Sequence, residues 1–400
     1  MPPFSPFAGL RYADAGSLSD LAAPPYDVID DDARAAFAAR DPHNAVHLDL
    51  PVDDPDGTER YAAASRLLHR WLDEGVLVCE QHGVFYGYRM SFVDSAGRHR
   101  HTTGAIGALE LSRPDEGSIL PHEHTTPKAK SDRLQMLRSC RANLSAIWAL
   151  TPAPITQLVG EPGPDDPTWT DDDGIDHTLW LIDDADSIAA LSDAVASRPV
   201  VIADGHHRYE TSLAYRDERR AEANGGPGSA GAAEATMTYV VELVADELTV
   251  WPTHRIIEDL DSSVDVASAL DAWFEVGDDV PLDAHTIDTM VDTGTLVLVT
   301  ATGSPSLRPR PDAFASVRDL DTSRVDAALA DLPEHVVRYH HDIDEVRSSV
   351  ASGRAAAGIL VRPATVDAIA QTADGGERMP PKTTFFHPKP RTGPVFRLLD

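Results

Sequence analysis

The chain alternates between helical and strand-like patterns of apolar residues. Residues 61–77, YAAASRLLHRWLDEGVL, carry apolar side chains at helical spacing and stop at a glycine, which predicts an amphipathic helix. Residues 83–111 contain two apolar stretches around the turn sequence DSAG, which predicts two strands. Residues 177–220 alternate strand, helix, strand and helix. The pattern therefore favours an α+β or mixed α/β fold.

The second half of the chain extends this pattern. Residues 236–257 predict a hairpin whose second strand ends at Pro252, His254 and Arg255. A length of 400 residues allows two or three domains. We expect an N-terminal α+β region over 1–155, a strand–helix unit over 178–260, and a C-terminal α/β region over 261–400.

The stretch VVIADGHHRYETSLAYR, residues 200–216, is the most informative motif. A short β-branched strand meets Gly205, which allows a tight turn into a helix, and the start of a helix attracts anions. Arg208 adds a fork of donors suited to phosphate, and Asp204 is placed to hold a divalent cation or accept a proton. The alternative makes Asp204 a helix cap and leaves His206 and His207 exposed to solvent.

A second motif, PHEHTTPKAKSDR, covers residues 121–133. In an extended segment His122 and His124 could reach one metal ion, with Glu123 on the other side. We favour a site shared with the first motif, in which Glu123 or Asp204 serves as base or metal ligand. The alternative is a polar loop that ends in a helix cap.

Lysine is rare, and its few positions are clustered. The chain has four lysines: Lys128 and Lys130 in the second motif, and Lys382 and Lys389 in the C-terminal sequence MPPKTTFFHPKPRTG. Compact ammonium groups suit phosphate or carboxylate ligands. We therefore include Lys128 and Lys382 among candidate ligand-binding residues, with chance clustering as the alternative.

Further candidates follow from their local sequence. Arg255 ends a predicted strand in WPTHRII, and Arg133 closes the second motif. The turn APPYDVID is restricted by proline and offers Tyr26 and Asp27 as ligand contacts. Any of these could instead serve structural packing.

The net charge limits the possible partners. Thirty-four basic and 65 acidic residues give −31, which repels nucleic acid and anionic membranes. The acids are spread along the chain, which favours the hypothesis of a halophilic protein from a salt-loving archaeon. Since salt screens repulsion between like charges, the free energy of unfolding should rise with potassium chloride concentration. Full stability and activity in dilute buffer would count against this hypothesis.

Other features exclude common classes. The sequence has no apolar run long enough for a membrane span and no secretory signal pattern at its start, so we expect a cytoplasmic protein. Two cysteines do not supply a disulfide framework or a cysteine-rich metal site. No phosphate-binding loop of the glycine–lysine–threonine type occurs.

The motifs together resemble the domain of unknown function 1015 family of bacteria and archaea. The segments APPYDVI, LPHEHTTPKAKSDRLQMLRSCRANLSAIWAL, IADGHHRYETSLAYR, PTHRII and RMPPKTTFFHPKPRTG occur in the expected order from Ala23 to Gly393. That family brings no established reaction. The segment ADGHHRYETSLAYR is also similar to the phosphate-binding motif of sulfiredoxin, ParB-type domains and archaeal free-serine kinases.

The second resemblance implies a ParB/sulfiredoxin-like core over residues 178–260, with nucleotide phosphates held by Gly205, His207 and Arg208. His206 stands where sulfiredoxin has its reactive cysteine, so sulfinic-acid reduction is not implied. We expect an enzyme that binds ATP or ADP with Mg²⁺ and moves phosphate to or from a small hydroxyl metabolite, for which serine is one candidate. The alternatives are a nucleotide- or metabolite-binding regulator and a metal-dependent hydrolase.

Overall fold

A computed structural model describes most of the chain. The described residues are 2–53, 56, 58–94, 97–113, 116, 118–121, 127–374, 379–380 and 382–400, and only the backbone is described at 121, 127–130, 373 and 374. Within these residues helices and strands are interspersed from end to end, which confirms the predicted mixed fold.

The strands, in chain order, are β1 (Phe4–Ser5), β2 (Leu10–Tyr12), β3 (Leu77–Cys79), β4 (Phe85–Val93), β5 (His99–Glu110), β6 (Ile119–Pro121), β7 (Ala142–Asn143), β8 (Ile147–Thr151), β9 (Thr168–Thr170), β10 (Asp176–Ile182), β11 (Val200–Asp204), β12 (Ala235–Glu242), β13 (Thr249–Pro252), β14 (His254–Glu258), β15 (Phe274–Asp279), β16 (Leu296–Val299), β17 (Pro305–Pro309), β18 (Val336–His340), β19 (Ala357–Leu360), β20 (Thr384–His387) and β21 (Arg397–Leu398).

The α-helices, in chain order, are α1 (Leu18–Leu21), α2 (Asp31–Arg40), α3 (Val46–Asp49), α4 (Arg60–Asp73), α5 (Pro127–Cys140), α6 (Thr156–Val159), α7 (Ala185–Ala196), α8 (His206–Glu222), α9 (Val266–Leu270), α10 (Thr286–Thr293), α11 (Asp321–Leu329), α12 (Ile343–Ala351) and α13 (Val366–Asp374).

The larger sheet runs in the order β6–β11–β8–β12–β5–β4–β10–β9, with β1 beside β5. It is mixed, since β6 and β11 are parallel, β8 and β12 are parallel, and the other neighbours are antiparallel. Strands from the predicted regions 1–155 and 178–260 therefore share one sheet.

The centre of the larger sheet is buried on both faces. In β11, Val201 and Ala203 join the apolar cluster that includes Trp71 and Met136 of α4 and α5, whereas the alternate residues Val200 and Ile202 join the cluster on the opposite face. Each of the valine and isoleucine side chains contributes about 1.5–3 kcal/mol when it is fully buried. This double burial fixes the position of the strand that leads to Asp204.

The smaller sheet is antiparallel and has the order β15–β17–β16–β19–β14–β18. Its faces carry separate apolar clusters, one around Phe274 and Leu298 and the other around Met290 and Val346. The second half of the predicted unit 178–260 therefore contributes β14 to this sheet.

The predicted hairpin over residues 236–257 is wrong. β12 pairs with β5 and β8, and β13 pairs with β20 from the C-terminal segment, with Trp251 opposite Phe385. Apolar alternation identifies a strand, but it does not identify the partner strand, which for β13 is more than a hundred residues away.

The two distant ends of the described chain also lie side by side. Leu10 and Phe396 exchange backbone hydrogen bonds of 2.8 and 2.9 Å, and Ala23 and Thr392 do the same at 2.9 and 2.8 Å. This pairing places the residues after Ala23 next to those before Thr392. Among the described residues, none of the helices has the length and apolar character needed to cross a membrane.

Candidate functional site

The strand–corner–helix predicted for residues 200–216 is confirmed. β11 ends at Asp204, Gly205 is the N-cap of α8 with a φ of 90°, and α8 begins at His206. A Cβ at Gly205 would lie 3.0 Å from both Nε and Nη2 of Arg208, so this guanidinium packs directly under the corner.

The alternative interpretation of this corner does not hold. The N-cap is Gly205, which has no side chain to cap the first turn, and Asp204 instead forms ion pairs. His206 is only 7% exposed, and His207 is half-buried. The start of α8 therefore presents backbone N–H groups and the positive end of a 17-residue helix to its surroundings.

Asp204 lies between two cations. Its Oδ2 accepts a hydrogen bond from Arg208 Nη2 at 2.7 Å, and its Oδ1 lies 2.9 Å from Lys389 Nζ. The same ammonium group is 2.6 Å from Oδ2 of Asp27. Lys389, near one end of the chain, thus bridges Asp27, near the other end, and Asp204 in the middle.

The chain holds Lys389 in place from both sides. Pro388 and Pro390 flank it, and proline restricts the backbone. Two residues further on, Arg391 Nε donates to Asp171 at 2.8 Å. The two prolines and the contact of Arg391 therefore restrain the part of the C-terminal motif that carries Lys389.

A buried polar relay fixes the partner of Arg391. Nε2 of His177 lies 2.7 Å from Oδ2 of Asp171, and Nδ1 of His177 lies 2.8 Å from the hydroxyl of Tyr88. Burial lowers the pKa of His177, although Asp171 opposes this shift. Burial also raises the pKa of Tyr88 well above its ordinary value. Near neutral pH His177 is therefore a neutral imidazole and Tyr88 a neutral phenol. Their hydrogen bonds hold Asp171, and thereby Arg391, in place.

A second arginine lies across the ring of Tyr26. Cζ of Arg133 is 4.2 Å from the ring centroid and that of Arg208 is 5.9 Å away. Arg133 Nη1 also donates to both the backbone oxygen and Oδ1 of buried Asp49, each at 2.9 Å. Burial raises the pKa of Tyr26, and the two guanidinium groups oppose that rise. Tyr26 therefore remains a neutral phenol between two cations.

A small cavity of about 40 Å³ opens between the two arginines. Arg133 and Arg208 line it together with Asn143, Ser145 and Ser212. A cavity of this size has room for more than one water-sized group. Nε of Arg208 is buried and has no hydrogen-bond partner among the described residues. Unsatisfied buried donors are rare, and one on an arginine points to a missing acceptor.

The structure brings together six of the predicted residues: Tyr26, Asp27, Arg133, Asp204, Gly205 and Arg208. The predicted His206 and His207 follow directly as the first two residues of α8. Among the described residues, none of the contacts joins Arg255 to this cluster. Arg255 is fully buried in the smaller sheet, where it pairs with Asp326 at 3.2 Å and donates to the backbone oxygen of Lys382 at 3.1 Å.

Lys382 and Lys389 belong to different surroundings. They lie on either side of β20, and seven residues of extended chain span on the order of 20 Å. Lys382 is exposed and its backbone has a φ of 56°. The predicted phosphate-binding roles of Arg255 and Lys382 therefore stay predictions, separate from the cluster around Asp204.

Several predicted residues cannot be placed. His122, Glu123 and His124 lie outside the described residues, and the side chain of Lys128 does as well, although its backbone belongs to α5. In the part of the chain that the structure describes, no three histidine, cysteine or acidic side chains are grouped to hold a metal ion.

Two members of the site were missing from the predicted set. Asp49 lies in a four-residue helix with no sequence motif, and its side chain is 6% exposed. Lys389 was noted as one of four rare lysines, but Lys382 was preferred as ligand. The signal that distinguishes Lys389 is its position between two prolines, in HPKP.

Acid should weaken the fold through Asp204. Burial raises the pKa of this carboxyl, but Lys389 and Arg208 outweigh that effect and hold it at about 2, below the ordinary 3.8. The ionised form therefore stabilises the fold above a pH of about 4, and this contribution disappears as the pH falls toward 2. At about 1.4 kcal/mol per pKa unit, it amounts to about 2 kcal/mol.

The variant Asp204→Asn isolates this contribution, because it removes the titrating group and leaves the other acids. Urea unfolding across this pH range should show a steeper loss of stability in the unsubstituted chain than in the variant. Equal pH dependence in both would contradict the assignment.

Comparison with solved structures gives distant likenesses. A free serine kinase mutant in complex with AMP has 13% identity and a TM-score of 0.37, covering 67% of this chain and 84% of that chain. A conserved hypothetical protein from Pyrococcus furiosus has 12% identity and a TM-score of 0.37, covering 70% and 90%. SbnI with a C-terminal truncation, from Staphylococcus aureus, has 10% identity and a TM-score of 0.40, covering 72% and 85%.

Comparison by sequence identifies the family. None of the curated proteins matches the chain. The model of the family described as protein of unknown function (DUF1015) matches residues 4–323, which include β11, the Gly205 corner and most of the smaller sheet. Because this match covers well over half of the chain, the protein belongs to the DUF1015 family.

Proposed function

We propose that the cluster around Asp204 binds the phosphates of ATP or ADP, and that the protein transfers a phosphoryl group to or from a hydroxyl group of a small metabolite. One observation carries this proposal. Arg133, Arg208 and Lys389, which come from three distant segments, converge at the glycine-capped start of α8. Phosphoryl transfer depends mainly on positioning and on neutralising charge, and this arrangement supplies both.

In this structure the carboxylates of Asp27 and Asp204 neutralise Lys389 and Arg208. These ion pairs suggest how a phosphate ligand enters. Lys389 pairs with Asp27 and Asp204, and Arg208 pairs with Asp204. An incoming phosphate is a stronger multivalent partner than either carboxylate, so it draws Lys389 and Arg208 toward itself. The two carboxylates are then released at the same place.

The released carboxylates fit a magnesium ion. Mg²⁺ is usually held by one or two carboxylates together with substrate phosphates, and it neutralises charge on the transferred group. Asp27 and Asp204 are close enough to share one ammonium ion, so they match this donor set. Asp204, which has the lower exposure of the two, is then the candidate to orient or deprotonate the acceptor hydroxyl.

The test is a direct assay in high potassium chloride. The chain is incubated with Mg²⁺, ATP or ADP, and serine as the first acceptor, and phosphorus NMR follows the appearance of a phosphorylated product. We expect nucleotide binding by calorimetry and product that depends on both Mg²⁺ and acceptor. Binding without product from a panel of hydroxyl metabolites would favour a nucleotide-binding regulator, and absence of binding would overturn the proposal.

A further inference from the structure

A cleft in the smaller sheet concentrates arginine in a strongly acidic chain. Its volume is about 970 Å³, and four arginines line it: Arg308, Arg310, Arg324 and Arg362. The whole chain has only 34 basic residues against 65 acidic ones. The cleft lies on a different sheet from Asp204, so the phosphate site proposed above does not account for it.

An internal carboxylate fixes two of these arginines. Asp321, whose side chain is 6% exposed, accepts hydrogen bonds of 2.6 Å from both Nε and Nη2 of Arg362. It also accepts one of 3.3 Å from Nη1 of Arg324. Asp321 thus serves as a structural counter-ion that holds two guanidinium planes in fixed positions. Nη2 of Arg324 also pairs with Asp319, and the N–H groups outside these pairs are left for a ligand.

The opposite side of the cleft is rigid because of proline. Arg308 and Arg310 alternate with Pro309 and Pro311 in the sequence RPRP, and proline fixes the backbone φ. Arg310 donates to the backbone oxygen of Asp271 at 2.8 Å and to its carboxylate at 3.0 Å. Arg308 is exposed, and its one hydrogen bond within the described residues is at 3.3 Å to a backbone oxygen. Its charge therefore has no carboxylate partner there.

The local charge contrasts with that of the molecule. Three acids line the cleft with the four arginines: Glu275, Asp312 and Asp319. Two further carboxylates, of Asp271 and Asp321, pair with these arginines, so four positive and five negative charges give a local charge of −1. The chain as a whole carries −31. An anion is therefore repelled less here than at the general surface, and the guanidinium forks match the geometry of carboxylate and phosphate.

A second lobe extends the cleft. An adjoining cavity of about 200 Å³ shares Arg324 and Arg362 with it and adds the hydroxyl-bearing residues Thr322, Thr365 and Thr383. The two arginines therefore lie at the boundary between a lobe rich in arginine and a lobe rich in hydroxyl groups. A ligand that fills both lobes contacts guanidinium groups in the first and hydroxyl groups in the second, within about 1,200 Å³, slightly above the usual size of ligand pockets.

We propose that this cleft is a second binding site, which takes a small organic oxyanion bearing at least two carboxylate or phosphate groups. Arg308 and Arg310 bind one anionic group, and Arg324 and Arg362 bind the other. The site is independent of the nucleotide site, so the failure of one proposal leaves the other standing.

Calorimetric titration with citrate and with inorganic pyrophosphate tests this site. We expect at least one probe to bind the full chain, and Arg308→Gln to weaken that binding at least about tenfold, the value of one lost charge-assisted contact. Citrate alone would identify a carboxylate ligand, and pyrophosphate alone a phosphate ligand. Because Arg308 is exposed, its substitution leaves the fold intact.

Two controls separate this cleft from other binding. Arg347→Gln removes an exposed arginine of α12 that pairs with Asp344, and it should leave the affinity unchanged. Arg208→Ala should likewise keep the affinity of the arginine cleft. Any pyrophosphate that binds near Asp204 is lost in this variant, so the two places of binding can be told apart. If neither probe binds, or if Arg308→Gln binds as tightly as the unsubstituted chain, the proposal is wrong.

Discussion

The variant Arg208→Ala should bind ADP with Mg²⁺ about 100-fold more weakly than the unsubstituted chain while remaining folded. Arg208 combines a buried guanidinium, an Nε without a partner among the described residues, and a place under the start of α8. Removing a buried charge that contacts a ligand typically costs about 2–5 kcal/mol of binding free energy. Calorimetry measures this loss, and circular dichroism confirms the fold.

A matched control lies on the same helix. Arg216 is also buried, with its side chain 3% exposed, and it donates to the backbone oxygen of Leu111 and pairs with Asp217. Arg216→Ala therefore tests the general cost of losing a buried arginine from α8, and its ADP affinity should stay the same. Normal ADP binding by Arg208→Ala would show that the phosphate assignment is wrong.

The second large effect is expected from Gly205→Ala. Its φ of 90° is unfavourable for alanine, and the new Cβ would lie 3.0 Å from Nε and Nη2 of Arg208. The backbone strain alone costs about 1–3 kcal/mol of unfolding free energy. Because the guanidinium must also move, ADP affinity should fall together with stability. Urea unfolding and calorimetry on the same sample measure both changes.

Gly353→Ala separates these two contributions. Gly353 has a similar positive φ of 73°, but nothing lies within 4 Å of the added Cβ. This variant should lose stability through its backbone alone and keep its ADP affinity. If Gly205→Ala loses no more affinity than Gly353→Ala, the corner does not position Arg208 for a ligand.

Local chemistry made the corner predictable. A β-branched strand, a glycine and a helix follow one another within a few residues, and the Asp204–Arg208 pair spans a single helical turn. Such features depend on neighbours in sequence, which the pattern of residues displays directly. The lysine-poor composition also directed attention to the C-terminal motif that carries Lys389.

The rest of the site and of the fold could not be predicted, because it depends on contacts between residues that are far apart in sequence. Asp49 has no motif, and its role depends on Arg133 reaching it from α5, 84 positions away. The choice of Lys382 over Lys389 failed to anticipate β20, which separates the two lysines along an extended strand. The pairing of β13 with β20 likewise depends on tertiary packing that alternation alone does not encode. Binding of phosphate by the chosen residues stays a prediction.

The pairing of Leu10 with Phe396 and of Ala23 with Thr392 has a consequence for the order of synthesis. A ribosome makes Tyr26 and Asp27 early and the Gly205 corner midway, but Lys389 emerges only after another 184 residues. Until then Asp204 lacks one of its two cations, and the early segment lacks the strand residues that hold it beside the corner. A growing chain therefore carries most of the site's residues in an open form until the segment around Lys389 has been translated.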